Sequence, residues 1–316
     1  MKCKICKEKA VIKIKRANIT LCKNHFIERF ESETKRVIKR YKMLERNDRI
    51  AVAVSGGKDS LSLLYVLNKL GYNTIGIHIN LGILKENYST NSEEYVLQFI
   101  EKFNIPIIIY NVKENQEKGI EDLLKTKREK KTCSVCGMVK RYLMNRLAIE
   151  NGCNVLATGH NLDDETARLF GNIIYWQEEH IEHQSPILPE ENRLLKKVKP
   201  FTFFTEKETS LYAILKGISY IRDECPYSVG AKTIKYKEIL NKLEFDSPGT
   251  KYRFLKGFYD FKEKVKIENL RTFKGTKNCK KCGMATTREI CTFCITFENH
   301  PFIKHNITSP EKLGNE

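Results

Sequence analysis

The chain has 316 residues, with 56 Lys and Arg against 39 Asp and Glu, a net charge of +17. With 41% hydrophobic residues and a mean hydropathy of −0.45 it has material for a core, while apolar runs such as residues 105–110 fall far short of the roughly 18–20 residues of a spanning helix, so no membrane role is expected. The N-terminal MKCKIC lacks the apolar stretch of a secretory signal, which points to a reducing cytoplasm. There, eleven cysteines serve metals or chemistry rather than a disulfide framework.

Residues 1–30 contain Cys3-x2-Cys6-x15-Cys22-x2-His25, two tight pairs at zinc-ligand spacing that can close one tetrahedral site. Residues 1–50 carry 16 Lys and Arg against 6 Asp and Glu, a net +10. That excess is either a solvated lysine-rich face or a surface for a polyanion such as nucleic acid. Over residues 31–47 a basic helix is predicted, with Val37, Ile38, Tyr41 and Leu44 as its apolar stripe.

From residue 48 to 263 strands and helices alternate. Strands are predicted at 50–54, 74–80, 106–112 and 154–158, and helices at 59–70, 93–103, 138–151, 162–174 and, from a Thr205/Glu208 capping box, to Gly217. This alternation implies an α/β fold, a Rossmann-like parallel sheet covered by helices on both faces. Residues 264–316 hold a polar connector to 278, then Cys279-x2-Cys282-x8-Cys291-x2-Cys294, a second zinc-type set, and a polar tail. The organisation read from the chain is therefore a metal module (1–30), a connecting helix (31–47), a core (48–263) and a C-terminal metal module with its flanks (264–316). Lys274, Lys277, Lys280, Lys281 and Arg288 surround the second cysteine set and suit nucleic acid; a purely structural knot is the other reading.

Two segments carry chemistry in the core. The run Ala53-Val54 leads into Ser55-Gly56-Gly57-Lys58-Asp59-Ser60, a strand, a glycine turn and a helix start, where backbone N–H groups and the helix dipole attract an anion. The string fits neither Walker A nor GxGxxG. The second, Gly159-His160-Asn161-Leu162-Asp163-Asp164-Glu165, also follows a strand and places three acids at a helix start. His78 ends the intervening strand, where an open α/β sheet places its ligand; a histidine packed under a helix is the alternative. Cys133, Cys136, Cys153 and Cys225 remain. Cys153 starts the strand at the edge far from His160 and reads as a small buried hydrophobe. Three thiols are one too few for a closed zinc site and suit a [4Fe–4S] cluster with one open iron. A redox CxxC and a persulfide relay are the alternatives.

The string SGGKDS resembles the pyrophosphate-loop signature of ATP pyrophosphatases that activate a carbonyl oxygen with AMP, and GHNLDDE looks like the GHNxDD segment of their tRNA-thiolating branch. The order of motifs from Cys3 to Cys294, with HINLGI, KRYLMNRLA, VKPF and GAKTIKYKE between them, resembles the TtuA family of tRNA 2-thiouridine synthetases. The resemblance implies ATP as substrate with Mg²⁺, bound by residues 53–60, His78, Lys140 and Gly159; catalysis by Asp59, Lys140 and Asp164; and a cluster on Cys133, Cys136 and Cys225. It implies adenylation of the C2 oxygen of tRNA uridine, with position 54 favoured over the wobble position 34. Sulfur would come from a ubiquitin-like thiocarboxylate carrier or free sulfide, and family members look dimeric. His25, where the wobble-uridine group more often has Cys, favours the first target. The 2-thiocytidine branch shares the loop and the three cysteines, but the paired zinc modules weigh against it. A non-catalytic zinc-ribbon protein binding RNA or ATP would leave Lys140 and the three odd cysteines without a purpose.

Overall fold

A computed structural model describes residues 1–124, 132–228, 232–265 and 275–297, with the backbone of 307–308. The expected connector falls largely outside the described residues, as do Lys274 and the extreme tail. The chain opens on a hairpin of β1 (Ile12–Ile14) and β2 (Ile19–Leu21). Helix α1 (Lys23–Arg40) buries Phe26, Phe30, Thr34, Val37 and Ile38, a stripe at helical spacing. The helix expected over 31–47 thus starts inside the first metal module. It stops at Arg40 because Lys42 takes a left-handed conformation (φ 51°) that turns Met43 fully into the core.

The core runs β3 (Arg49–Val54), α2 (Lys58–Lys69), β4 (Asn73–Asn80), α3 (Tyr88–Phe103), β5 (Ile107–Asn111), the short α4 (Val112–Gln116) and α5 (Ile120–Leu124), and α6 (Thr132–Glu150). It continues through β6 (Val155–Ala157), α7 (Leu162–Ile174), α8 (Glu178–Glu182), β7 (Ile187–Leu188), β8 (Lys196–Val198), α9 (Glu206–Lys216), α10 (Lys232–Asp246) and α11 (Thr250–Val265). A small hairpin of β9 (Lys277–Asn278) and β10 (Ala285–Thr286), then α12 (Thr292–Thr296) and the edge strand β11 (Ile307–Thr308), complete the described elements.

The main sheet has the order β11-β5-β4-β3-β6-β8-β7, with parallel pairing from β5 to β8 and antiparallel edges. This is the expected doubly wound sheet. Alternate residues of β3 face opposite ways: Ile50, Val52 and Val54 join one core with α1, α2, α3 and α9, while Ala51 joins the other with α6 and α12. In the first, Phe30 stacks on Tyr212 with centroids 4.3 Å apart, tying α1 to α9. In the second, Tyr142 stacks on Phe293 at 3.9 Å, seating the C-terminal metal module against α6. Strand order reverses between β3 and β6, and the crevice beyond their C-terminal ends is where such sheets bind ligands.

Two boundaries move the chemistry. Helix α6 begins at Thr132, so Cys133 and Cys136 lie in its first turn rather than before it, three residues apart on one face. Helices α10 and α11 were not delimited by pattern. Few of their apolar residues are buried (Leu240, Leu255 and Tyr259), and Ile239, Leu243, Phe245, Phe261 and Val265 are exposed, because both helices lie on the outside of the domain.

Candidate active site

The phosphate loop is shaped by close backbone contact. Gly56 has φ 74°, and a Cβ there would lie 2.6 Å from Ser92 Oγ and 2.7 Å from Ser92 O, so both its conformation and the space require glycine. Ser92 Oγ donates to Ser55 O (2.8 Å), and the Ser55 N–H donates to Ser60 Oγ (3.0 Å), fixing the turn before α2. From the next strand, Gly159 abuts this loop: a Cβ there would meet Asp59 C and Ser60 N at 2.9 Å. The SGGKDS and GHNLDDE segments therefore meet backbone to backbone at the switch point.

A closed ring of charges surrounds the junction. Lys58 Nζ bonds Asp59 (3.1 Å) and Glu206 (2.9 Å), and Lys237 bonds Asp164 (2.6 Å) and lies 3.6 Å from Glu206 as a looser ion pair. Asn161 closes the ring: its side chain caps α7, accepting from the Asp163 and Asp164 N–H groups, and its Nδ2 donates to Asp59 Oδ1 (3.3 Å). Thr209 Oγ1 also donates to that oxygen. Burial pushes the Asp59 carboxyl above its usual range, with Lys58 opposing. Burial acts the same way on Asp164, but the Lys237 ammonium outweighs it and holds that carboxyl below its usual range. Beneath the ring, Lys199 pairs with fully buried Glu165 at 2.7 Å, and burial lowers the lysine despite its partner.

Two cavities open here. One of about 790 Å³ is lined by Ala53, Val54, Ser55, Asp59, Ser60, Lys140, Gly159 and Asp164, and also by Arg141, Arg168, Lys197 and Lys199. Gly56, Gly57 and Lys58 form the turn and helix start without lining it. A smaller cavity of about 290 Å³ is lined by Cys133, Cys136 and Cys225 together with His78 and Tyr227. Lys140, Gly137, Met144, Val54 and Ser55 line both, so the two share a wall. His78 thus lines only the thiol cavity, with Val54, Ser55 and Lys140 but apart from Ala53, Asp59, Ser60 and Gly159. Its Nδ1 lies 3.1 Å from Val54 O, and its buried Nε2 has no hydrogen-bond partner among the described residues. Burial lowers His78 to about 4 and raises the Cys136 thiol to about 11. Cys153 is buried under α6, apart from both cavities.

The terminal cysteine sets fit tetrahedral zinc. Zinc–sulfur bonds of about 2.3 Å imply ligand separations of about 3.8 Å. Cys6 and Cys22 Sγ are 3.6 Å apart, and Cys3 and Cys22 Sγ lie 3.6 Å and 3.2 Å from His25 Nδ1. In the second set, Cys282 and Cys291 Sγ are 3.7 Å apart, and the ligand atoms of each set lie within 4.8 Å of one another. Burial disfavours thiolate at Cys3 and Cys279, but backbone N–H groups outweigh it and bring each down to about 6. The three cavity thiols fit a cluster in donor chemistry: all sulfur, lining one cavity, with no fourth thiol among the described residues that line it.

Residues 27–229 match the PP-loop domain family, and residues 2–27 match the N-terminal LIM domain of the 2-thiouridine synthetase TtuA. The chain belongs to the TtuA family. It is 46% identical over 294 residues to the tRNA-5-methyluridine(54) 2-sulfurtransferase of Pyrococcus horikoshii, covering 93% of each chain. It is 43% identical over 295 residues to the enzyme of the same name from Thermus thermophilus, covering 93% of this chain and 90% of that one. The solved U34-tRNA thiolase NcsA from Methanococcus maripaludis, with its [4Fe-4S] cluster, superposes with a TM-score of 0.78 at 28% identity over 96% of this chain and 98% of that chain.

Lys237, Glu206 and Thr209 were not singled out from sequence. The capping box marks the start of α9, and GAKTIKYKE and VKPF stand out only as strings that resemble the family. Nothing local showed that the first turn of α9 and one face of α10 converge on the phosphate loop.

Proposed function

We propose that this chain is an ATP-dependent tRNA 2-sulfurtransferase that converts the C2 carbonyl of uridine 54 to a thiocarbonyl. The observation that carries the reading is the shared wall: a phosphate-loop cavity and a three-thiol cavity are both lined by Lys140. Uridine O2 attacks the α-phosphate of ATP and pyrophosphate leaves into the N–H groups at the start of α2. A sulfur nucleophile then adds to C2, and AMP departs with the original oxygen. Adenylation turns a poor electrophile with an oxide leaving group into a good one.

Lys140 stabilises charge developing on the α-phosphate and on O2. Asp164, kept ionised by Lys237, accepts the uridine N3–H and so raises electron density at O2. Asp59 would hold the Mg²⁺ that accompanies the phosphates, and Arg141, Arg168 and Lys197, which line the same cavity, would offset phosphate charge. His78, neutral and with a free Nε2, accepts a hydrogen bond in the smaller cavity. Cys133, Cys136 and Cys225 would hold a [4Fe–4S] cluster, which supplies an iron without a protein ligand as a place for sulfide. Zinc in the terminal modules is structural, since four protein ligands fill each site. A cytoplasmic homodimer taking sulfur from a thiocarboxylate carrier or from free sulfide completes the reading. Among the described residues no helix is long and apolar enough to cross a membrane.

Anaerobically purified protein, given ATP, sulfide and unmodified tRNA, tests it by nucleoside mass mapping. Thiolation at position 54 with AMP release is expected. Thiolation at position 34 instead would move the enzyme to the wobble group, and ATP binding without AMP formation would reject catalysis.

A further inference from the structure

The chain has one tryptophan, Trp176, and it is 76% exposed. It follows α7, whose start carries Asp164, and its neighbour Gln177 lines the larger cavity together with His180 of α8. The end of α7 is a Schellman motif: the Gln177 N–H bonds Asn172 O (2.9 Å) and the Trp176 N–H bonds Ile173 O (3.0 Å). That motif puts Trp176 at φ 45°, a left-handed position that glycine or asparagine normally fills. A large apolar ring at a strained, solvent-facing site contributes nothing to the core. Its indole N–H has no hydrogen-bond partner among the described residues.

The surroundings indicate what covers it. Tyr175, beside it, is 53% exposed, with the Lys232 ammonium 4.7 Å above its ring and 3.2 Å from its hydroxyl. Helix α10, which supplies Lys232, carries four Lys and one Glu in residues 232–242. Paired aromatic faces among cations are the means by which proteins hold unstacked bases of a polyanion. A uridine must leave its stack to bring C2 into the cavity, which exposes the faces of its neighbours.

We propose that Trp176 is a stacking wedge, holding a tRNA base adjacent to the target uridine at the mouth of the cavity. This rests on the tRNA reading above. The single indole reports on it directly. Tryptophan emission of the holoprotein is followed during titration with unmodified tRNA, alongside the anisotropy of fluorescein-labelled tRNA. Emission is expected to be quenched with the same midpoint as the anisotropy change. Trp176→Ala should weaken kcat/KM for tRNA roughly 5- to 150-fold, the usual worth of one base–aromatic stack, with KM for ATP unchanged, and Trp176→Phe should retain most of it. Trp176→Gly, which suits the left-handed site, should melt no lower than wild type while losing tRNA affinity.

Bound tRNA with unchanged emission, or wild-type kinetics in Trp176→Ala, overturns the wedge and leaves the tRNA reading standing. A melting temperature several degrees lower in Trp176→Gly overturns it by giving the ring a structural role. Emission that follows protein concentration instead of tRNA assigns the face to a second copy of the chain. Absence of any anisotropy change defeats the tRNA reading, and the wedge with it.

Discussion

Lys237 of α10 reaches Asp164 at the start of α7, Nζ to Oδ1, at 2.6 Å. The pair spans two helices and decides the protonation of the acid nearest the proposed reaction. Burial is the largest influence on Asp164; without the ammonium it is opposed only by His160 and the Asn161 N–H, so the pKa rises. Lys237→Met is therefore expected to move the acid limb of kcat/KM to higher pH and to lower the rate about 10²-fold through misplacement of the carboxylate. Lys237→Arg keeps the charge and should recover most of the loss. A pH–rate profile checks this, and an acid limb that stays in place in Lys237→Met would separate Asp164 from the pair.

Gly159 offers a steric test of the junction. A methyl group there meets the backbone of Asp59 and Ser60 at 2.9 Å, and backbone cannot swing aside as a long side chain can. Gly159→Ala should displace the start of α2, costing about 1–3 kcal/mol of stability and weakening ATP at least about tenfold, a change of roughly 1.4 kcal/mol in binding. Calorimetric titration with a non-hydrolysable ATP analogue measures it. tRNA affinity should hold, since no RNA-facing side chain is altered.

The parallel α/β class and the two loops of the larger cavity were legible because they depend on local patterns: apolar strands such as residues 50–54, glycine turns, and acids at helix starts; the strand order and the short strands β7, β8 and β11 were not. The separation of three within Cys279 and Cys282 likewise announced neighbouring ligand atoms, and the same separation within Cys133 and Cys136 announced thiols that line one cavity. What escaped were contacts made by the outer helices. Lys237 sits in α10, whose apolar face is thin, and its partner Asp164 lies on another helix, so no periodicity links them. The placement of His78 beside the thiols was equally invisible. A strand end faces the crevice, but only the fold decides which of two adjoining cavities it lines.

The cysteine groupings predict metal content variant by variant. Wild-type protein purified without oxygen should carry two zinc and four iron per chain. Cys136→Ser should lose the iron, its absorbance and thiolation while keeping both zinc ions. Cys6→Ser should keep iron and lose one zinc, and it should melt earlier because α1 begins inside that module and packs Phe30 against Tyr212. Cys153→Ala should change neither metal. Elemental analysis with circular dichroism melting tests all four, and loss of zinc from Cys136→Ser would break the grouping.

His78 predicts how stability depends on pH. It is 3% exposed and burial holds it to about 4 in the folded chain, against an ordinary 6.5. The unfolded chain therefore binds this proton first as pH falls. The contribution is fully present above pH 6.5 and is lost progressively down to about pH 4, by about 3 kcal/mol in all. Acid also protonates the zinc thiolates, so the slope of wild type alone mixes the two effects. Comparison with His78→Asn separates them, because that variant keeps both zinc sites and lacks the titrating ring. Urea unfolding midpoints measured across this range should fall more steeply for wild type than for His78→Asn. Parallel pH dependences in the two proteins would mean that His78 accepts its proton without unfolding.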